Sequence, residues 1–112
     1  ADDWEKIVAA CTDINRDPDK LVRVLYTTLN VNADEATAAR EMDEFLVSYY
    51  GRQQKEIVAK SQGHCAGSSQ RCAAFLRGFM DVGAKHFCVR FAATSQEPQM
   101  NRFLSDVVPL LA

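Results

Sequence analysis

The amino-acid sequence predicts an all-α fold, a compact bundle of four to six short helices stabilised by disulfides. Apolar residues recur three and four positions apart along most of the chain, which is the spacing of a helix with one buried face. No segment offers a good candidate for a strand. The chain also has four cysteines in 112 residues, an even number that predicts two disulfides in an exported protein; the alternative is four buried thiols in a cytosolic core.

The first two helices are predicted over residues 3–14 and 18–29. Asp2 or Asp3 can cap the first helix. Asp17 and Pro18 are typical of the start of the second, because the first helical N–H has no partner that a proline could remove. The apolar face of the first helix consists of Trp4, Ile7, Val8 and Cys11. The inward face of the second consists of Leu21, Val22, Val24, Leu25 and Leu29.

A third helix is predicted over residues 33–50, because Asn32 and Glu35 have the spacing of a capping box. This helix ends at Gly51, or it bends there and continues to Ser61. Its apolar residues are Ala36, Ala39, Met42, Phe45, Leu46, Tyr49 and Tyr50. The glycine-rich segment 63–67 that follows is predicted to be a turn.

The central helix is predicted over residues 70–86, with Ser68 or Ser69 as its N-cap. Gly78 interrupts its apolar pattern, at a cost of about 1 kcal/mol relative to alanine, which is tolerable where another backbone approaches closely. The apolar positions are Cys72, Phe75, Leu76, Phe79, Met80 and Val82. A last helix is predicted over residues 98–108, with Met100, Phe103, Leu104, Val107 and Val108 on its apolar face.

Length and composition indicate one globular domain over residues 1–112. Hydrophobic residues make up 47% and charged residues 25%, a balance that excludes wholesale disorder. The net charge of −2 gives no basic surface for nucleic acid, and no apolar run approaches the ~20 residues of a membrane span. The first residues, Ala-Asp-Asp, are typical of the end that a removed signal peptide leaves, which predicts a periplasmic or secreted protein.

Two disulfides are predicted, Cys65–Cys72 and Cys11–Cys88. If one helix carries residues 72 and 88, these two cysteines are too far apart to bond to each other. Pairing Cys65 with Cys88 would stretch the six residues before the helix along its full length. The remaining pairing clamps the turn before the central helix and ties the first helix to the far end of that helix.

The histidines invite a metal or catalytic interpretation, which the spacing does not favour. His64 is next to Cys65, and His86 is near Cys88, but the spacing of a zinc finger is absent. A Cys–His nucleophilic pair would need an orienting third group and an oxyanion donor, and none can be named. We therefore expect no metal, no cofactor and no enzymatic activity.

The segment Cys72-Ala-Ala-Phe-Leu-Arg-Gly-Phe-Met-Asp81 resembles the Cys-x-Gly-Tyr-Ile-x-Gly-x-x-Asp helix of the Rap/Tai-type immunity proteins. The pair Phe87-Cys88 resembles the second landmark of that family. The likeness covers residues 65–108 and departs from the family pattern at Ala74 and at the segment 89–91. It implies a small exported helical protein that protects bacteria from peptidoglycan amidase effectors of type VI secretion, with Phe75, Gly78 and Asp81 as motif positions.

The expected function is therefore binding to a protein partner. On this hypothesis the protein is an immunity or inhibitor protein that occludes the active site of a toxin or hydrolase; its oligomeric state, a homodimer included, stays open. One alternative is a carrier whose cavity for an apolar ligand is lined by Phe75, Phe79, Met100 and Phe103. Another alternative is an accessory subunit of a larger assembly, which exposed apolar surface at Phe87, Val89 and Phe91 would favour.

Overall fold

The computed structural model describes residues 2–112 and contains a parallel sheet between layers of helices. The sheet begins with Val24–Val31, where valine, threonine and tyrosine side chains suit an extended backbone better than a helix. The elements in chain order are α1 (Asp2–Asp13), a 3₁₀ turn (Pro18–Lys20), β1 (Val24–Val31), α2 (Glu35–Tyr50), α3 (Arg52–Ser61), β2 (Gly63–Gly67), α4 (Ser69–Asp81), β3 (His86–Phe91), α5 (Gln96–Arg102), a π-helical turn (Phe103–Val107) and α6 (Val108–Leu111).

The strand order is β2-β1-β3, and both pairs are parallel. In the register, Leu29 of β1 lies beside Cys65 of β2 on one side and Phe91 of β3 on the other. Parallel strands need crossover connections, and helices supply both of them: α2 and α3 lead from β1 to β2, and α4 leads from β2 to β3.

The two faces of the sheet pack against different helices. Because side chains alternate along a strand, Leu29 and Val31 point to one face and Asn30 points to the other. The first face packs against α4 and the C-terminal helical segment, in a core that includes Cys72, Leu76 and Val107. The second face packs against α2, in a smaller core of Met42, Leu46 and Ala92. The protein is therefore an α/β sandwich of three layers.

The all-α prediction is wrong, because three segments form strands. The segment 18–29 starts at the predicted cap, where Asp17 accepts a hydrogen bond from the Asp19 N–H, but only a 3₁₀ turn follows before β1. The predicted turn at 63–67 is β2, and the end of the predicted central helix is replaced by a turn and β3. The other predicted helices, 3–14, 33–50, the first part of 70–86 and 98–108, are confirmed with shifted ends.

Neither predicted disulfide forms, since all four cysteines are free thiols. The elimination that led to Cys11–Cys88 placed residues 72 and 88 in one helix. In the structure α4 ends at Asp81, and Cys88 is exposed on the separate strand β3, while Cys11 is buried in α1. Cys65 and Cys72 are neighbours, as predicted, but no disulfide joins them.

The three motif positions of the resemblance have different environments in α4. Phe75 packs, partly buried, against the first core. Gly78 is exposed, and nothing lies within 4 Å of the place where its Cβ would stand. No other backbone therefore packs closely against this glycine. Asp81 is an exposed residue at the end of the helix.

Replacing Leu29 and Val22 by alanine distinguishes this fold from a helix over residues 18–29, which would bury both. Leu29 is fully buried, whereas Val22 is 69% exposed. We expect Leu29→Ala to lower the free energy of unfolding by about 2–5 kcal/mol, and Val22→Ala by less than about 0.5 kcal/mol. Urea unfolding followed by circular dichroism measures both. Equal losses for the two variants would contradict the fold.

Candidate ligand-binding site

A crevice of about 630 Å³ lies outside the carboxyl ends of β1 and β3. The connection that leaves β1 runs over one face of the sheet, and the helical segment that follows β3 packs against the other. Such a point of divergence between neighbouring parallel strands leaves an opening that helices do not fill. The lining consists of Asn32, Glu41, Glu44, Phe45, Ser48, Tyr49, Ala93, Thr94, Ser95, Pro98, Gln99 and Arg102.

The floor of the crevice is held by the buried side chain of Asn30 in β1. Its Nδ2 donates to Glu41 Oε2 of α2 over 2.8 Å and to the Ala92 carbonyl over 2.9 Å. Its Oδ1 accepts a hydrogen bond from Gln99 Nε2 over 3.4 Å. One amide therefore joins the central strand, the end of the neighbouring strand, α2 and α5.

The side chain of Gln99 forms hydrogen bonds with the backbone of Val31, at the end of β1. Its side chain is 3% exposed; Oε1 accepts from the Val31 N–H over 2.8 Å, and Nε2 donates to the Val31 carbonyl over 3.2 Å. Arg102 Nη1 donates to the same carbonyl over 3.0 Å. These bonds replace a missing strand neighbour and fix α5, with its polar residues, at the rim of the crevice.

The loop after β3 is fixed in a similar way. Gln96 Nε2 donates to the carbonyls of Phe91 and Ala93, over 2.9 and 2.6 Å. This places the hydroxyl groups of Thr94 and Ser95 at the rim, where both residues are exposed. The crevice thus has fixed polar groups on one side and the aromatic rings of Phe45 and Tyr49 on the other.

Arg90 of β3 lies behind those rings, on the face of the sheet that packs against α2. Its Nε donates to Thr28 Oγ1 over 3.2 Å, and its Nη1 donates to the Tyr50 hydroxyl over 3.0 Å. Four aromatic rings lie with their centroids 4.9–5.4 Å from its Cζ atom, those of Tyr26, Phe45, Tyr49 and Tyr50. Its Nη2 is buried and has no hydrogen-bond partner in the described part of the chain.

A second cavity, of about 560 Å³, lies between α2, α3 and the edge strand β2, and Cys65 is part of its wall. A hydrogen bond from the Cys72 thiol, aided by the positive charge of Arg71, lowers the pKa of Cys65 to about 7. The same contact and burial raise the pKa of the Cys72 thiol. The result is one thiolate-prone cysteine held beside a protonated one.

The histidines do not meet these thiols in a metal site. His64 and His86 lie beside Thr28 and Val24 of β1, four residues apart along the strand and on opposite edges of the sheet. Among the side chains described, those of residues 3–112, no group of three or more His, Cys, Asp or Glu is placed to hold a metal ion. In the same part of the chain, no helix is both long enough and apolar enough to cross a membrane.

The structure also tests the residues proposed for the two alternative functions. Phe75 packs on Phe79, near Gly63 of β2, whereas Phe103 packs on Phe91 of β3. Because β2 and β3 are opposite edges, and Met100 is exposed, these side chains do not surround one cavity. The other alternative rested on exposed apolar surface at Phe87, Val89 and Phe91, but all three belong to the first core or pack against it.

Sequence reasoning missed the residues that build the crevice. Asn30 lies just beyond the predicted helix 18–29, and Gln99 was given no role, but they are among the most buried polar side chains. The one available signal was the position of Asn30 directly after the apolar and β-branched run Val24–Leu29.

Comparison with known families and curated proteins gives no relative: no family model matches the chain, and no curated protein is significantly similar to it.

Removal of the Asn30 amide should destabilise the protein strongly. Asn30→Ala leaves the buried Ala92 carbonyl without its donor and removes one hydrogen bond each from Glu41 and Gln99, which should cost about 2–4 kcal/mol. Asn101→Ala is the matched control on exposed helix α5 and should change stability by less than about 0.5 kcal/mol. Chemical unfolding gives both values, and a loss below about 1 kcal/mol for Asn30→Ala would contradict the network.

Alkylation of Cys65 should follow a titration centred near pH 7. Only the thiolate reacts, so with a pKa of about 7 the iodoacetamide rate should rise through pH 6–8 and level off above it. Peptide mapping by mass spectrometry measures the rate at Cys65 separately from the other thiols. Cys72→Ala removes the main stabilising hydrogen bond, so the midpoint should move up toward about 8.5. A midpoint already at that value in the unchanged protein would contradict the assignment.

Proposed function

We propose that this protein is a small-molecule binding α/β unit, and that the crevice at the carboxyl ends of β1 and β3 holds a nucleoside-type ligand. The observation that carries the proposal is the place of the crevice at the point where the strand connections diverge. Open parallel sheets bind ligands there, and a five-stranded sheet whose order begins in the same way, 2-1-3-4-5, binds flavin mononucleotide between its first and third strands. The ligand class thus rests in part on analogy between folds.

The size and chemistry of the crevice support the same class. Its volume of about 630 Å³ lies within the range of small-molecule sites. Phe45 and Tyr49 provide ring faces on which a planar base can stack. Glu41 and Glu44, one helical turn apart on α2, provide carboxylate oxygens that accept hydrogen bonds from sugar hydroxyl groups.

Binding to a protein partner is a second candidate, favoured by one feature of the surface. Met100, Leu104 and Val108 are exposed and lie four residues apart on the C-terminal helical segment, so they form an apolar stripe. Such a stripe suits contact with another protein. The immunity function, the exported location and the lack of enzymatic activity stay predictions. The fold that the resemblance implies is helical and differs from the fold described above.

A titration with adenosine and riboflavin tests the nucleoside proposal. We expect at least one of the two to bind, and Tyr49→Ala to weaken that binding about fivefold or more, because base stacking is worth roughly 1–3 kcal/mol. Ile57→Ala is the control, since Ile57 is equally exposed but lies on α3 outside the crevice. Isothermal titration calorimetry measures the affinities. Absence of binding for both probes, or equal effects of the two variants, would count against the crevice.

A further inference from the structure

The charge of Arg90 is held in a place with no carboxylate partner. A guanidinium stays protonated in proteins, so burial cannot neutralise it. Among the side chains of residues 3–112, no carboxylate oxygen lies within 4.0 Å of this guanidinium. The nearest polar contacts are two neutral hydroxyl groups, those of Thr28 and Tyr50.

The aromatic rings around Arg90 compensate its charge only in part. Ring faces attract a guanidinium that stacks on them, but they do not accept the in-plane N–H bonds that it donates. Nε and Nη1 have acceptors, whereas Nη2 is buried without one. A buried donor of a charged group without a partner is costly, and it marks a place where a further acceptor belongs.

The protein supplies no anion for that place from its own nearby carboxylates. Glu41, on the same face of the sheet, directs Oε2 to the Asn30 amide. Glu44 lies in an exposed pair with Arg40. An oxyanion is the chemical group that a guanidinium recognises best, because its oxygens match the parallel N–H donors.

Access to Arg90 from the crevice runs past Tyr49. The rings of Phe45 and Tyr49 line the crevice, and their centroids lie 5.0 and 4.9 Å from the Arg90 Cζ atom, so they form the wall between the two. Tyr49 is 65% exposed, so its ring can turn toward solvent with little loss of buried apolar area. Such a rotation removes one of the two rings that separate the guanidinium from the crevice.

We propose that Arg90 anchors an oxyanion, a phosphate or a carboxylate, carried by the ligand of the crevice, and that the Tyr49 ring turns outward to admit it, which leaves the Phe45 ring to stack the base. The inference rests on the proposed function, since it places the anion on a molecule that occupies the crevice. Arg102 also lines the crevice, but its charge is exposed and its Nη1 is bonded to the Val31 carbonyl. A solvated charge of this kind gains less from a ligand anion.

The test compares adenosine with adenosine monophosphate, which differ only in the oxyanion. In the unchanged protein the monophosphate should bind about tenfold or more tightly than the nucleoside. Arg90→Gln should abolish that ratio, which is taken for each variant relative to its own affinity for adenosine, and Arg90→Lys should give an intermediate ratio, because lysine keeps the charge without the fork of donors. Arg102→Gln is the matched control and should lower the ratio less than about threefold.

A second measurement on the unchanged protein covers the case in which the Arg90 variants do not fold. Nitrogen-15 spectra of the arginine side chains should show a shift of the Arg90 guanidinium signal with the monophosphate and with inorganic phosphate, but not with adenosine. Acetate in place of phosphate distinguishes a carboxylate from a phosphate source of the oxyanion. A shift with either anion supports the inference.

The outcomes separate the inference from the function on which it rests. If adenosine binds and the monophosphate binds no more tightly, with the Arg90 signal unmoved, the anion site is overturned and the nucleoside crevice stands. If neither nucleoside nor monophosphate binds but phosphate shifts the Arg90 signal, the anion site stands and the nucleoside crevice is overturned. If no probe binds, both are overturned.

Discussion

The backbone pairing of β1 on both of its edges is the constraint on which the other elements depend. β1 is the only strand of the described sheet with two neighbours, so β2 and β3 have no place without it. Its second half, Thr27–Val31, is buried along its whole length. In that setting every N–H and C=O of the strand needs a partner, and every side chain needs a packed neighbour, on both faces.

That requirement explains the polar residues at the end of the strand. The ladder with β3 ends at Leu29 and the ladder with β2 ends at Val31, so backbone groups beyond these points need other partners. Asn30, Gln99 and Arg102 supply them through their side chains. The groups that complete the sheet also form the floor and rim of the crevice, and therefore the stability of the strand and the shape of the site depend on the same hydrogen bonds.

The sequence predicts most of the helices correctly because each has a local signal. Ser68 caps α4 as expected, and α2 ends at Gly51, whose φ of 84° suits the end of a helix. The strands lack such signals. The second half of β1 is buried on both faces, so it lacks the alternation of a half-buried strand, and Leu21, Leu25 and Leu29 before and within β1 mimic helical spacing. The alternation of Phe87, Val89 and Phe91 was a usable strand signal, whereas β2, with two glycines in five residues, has none.

The site could not be predicted for a related reason. Asn30 and Gln99 are 69 residues apart, and only the strand order brings them together. Pairs of this kind have no spacing rule, because the fold must be known before the contact can be stated. Cys65 and Cys72 show the opposite case: only six residues separate them, so their proximity was predictable, but not the protonation that their contact imposes.

The aromatic residues of α2 acquire a role that their helical spacing alone does not indicate. Phe45, Tyr49 and Tyr50 surround a charge on the neighbouring strand, and Tyr50 also supplies a hydroxyl acceptor. Such rings replace part of the hydration that Arg90 loses under the helix. An oxyanion at Arg90 would gain a charge-assisted pair but would displace the stacked Tyr49 ring. The affinity for an anion is then the difference between these two interactions, which makes Tyr49 a determinant of selectivity as well as part of the wall.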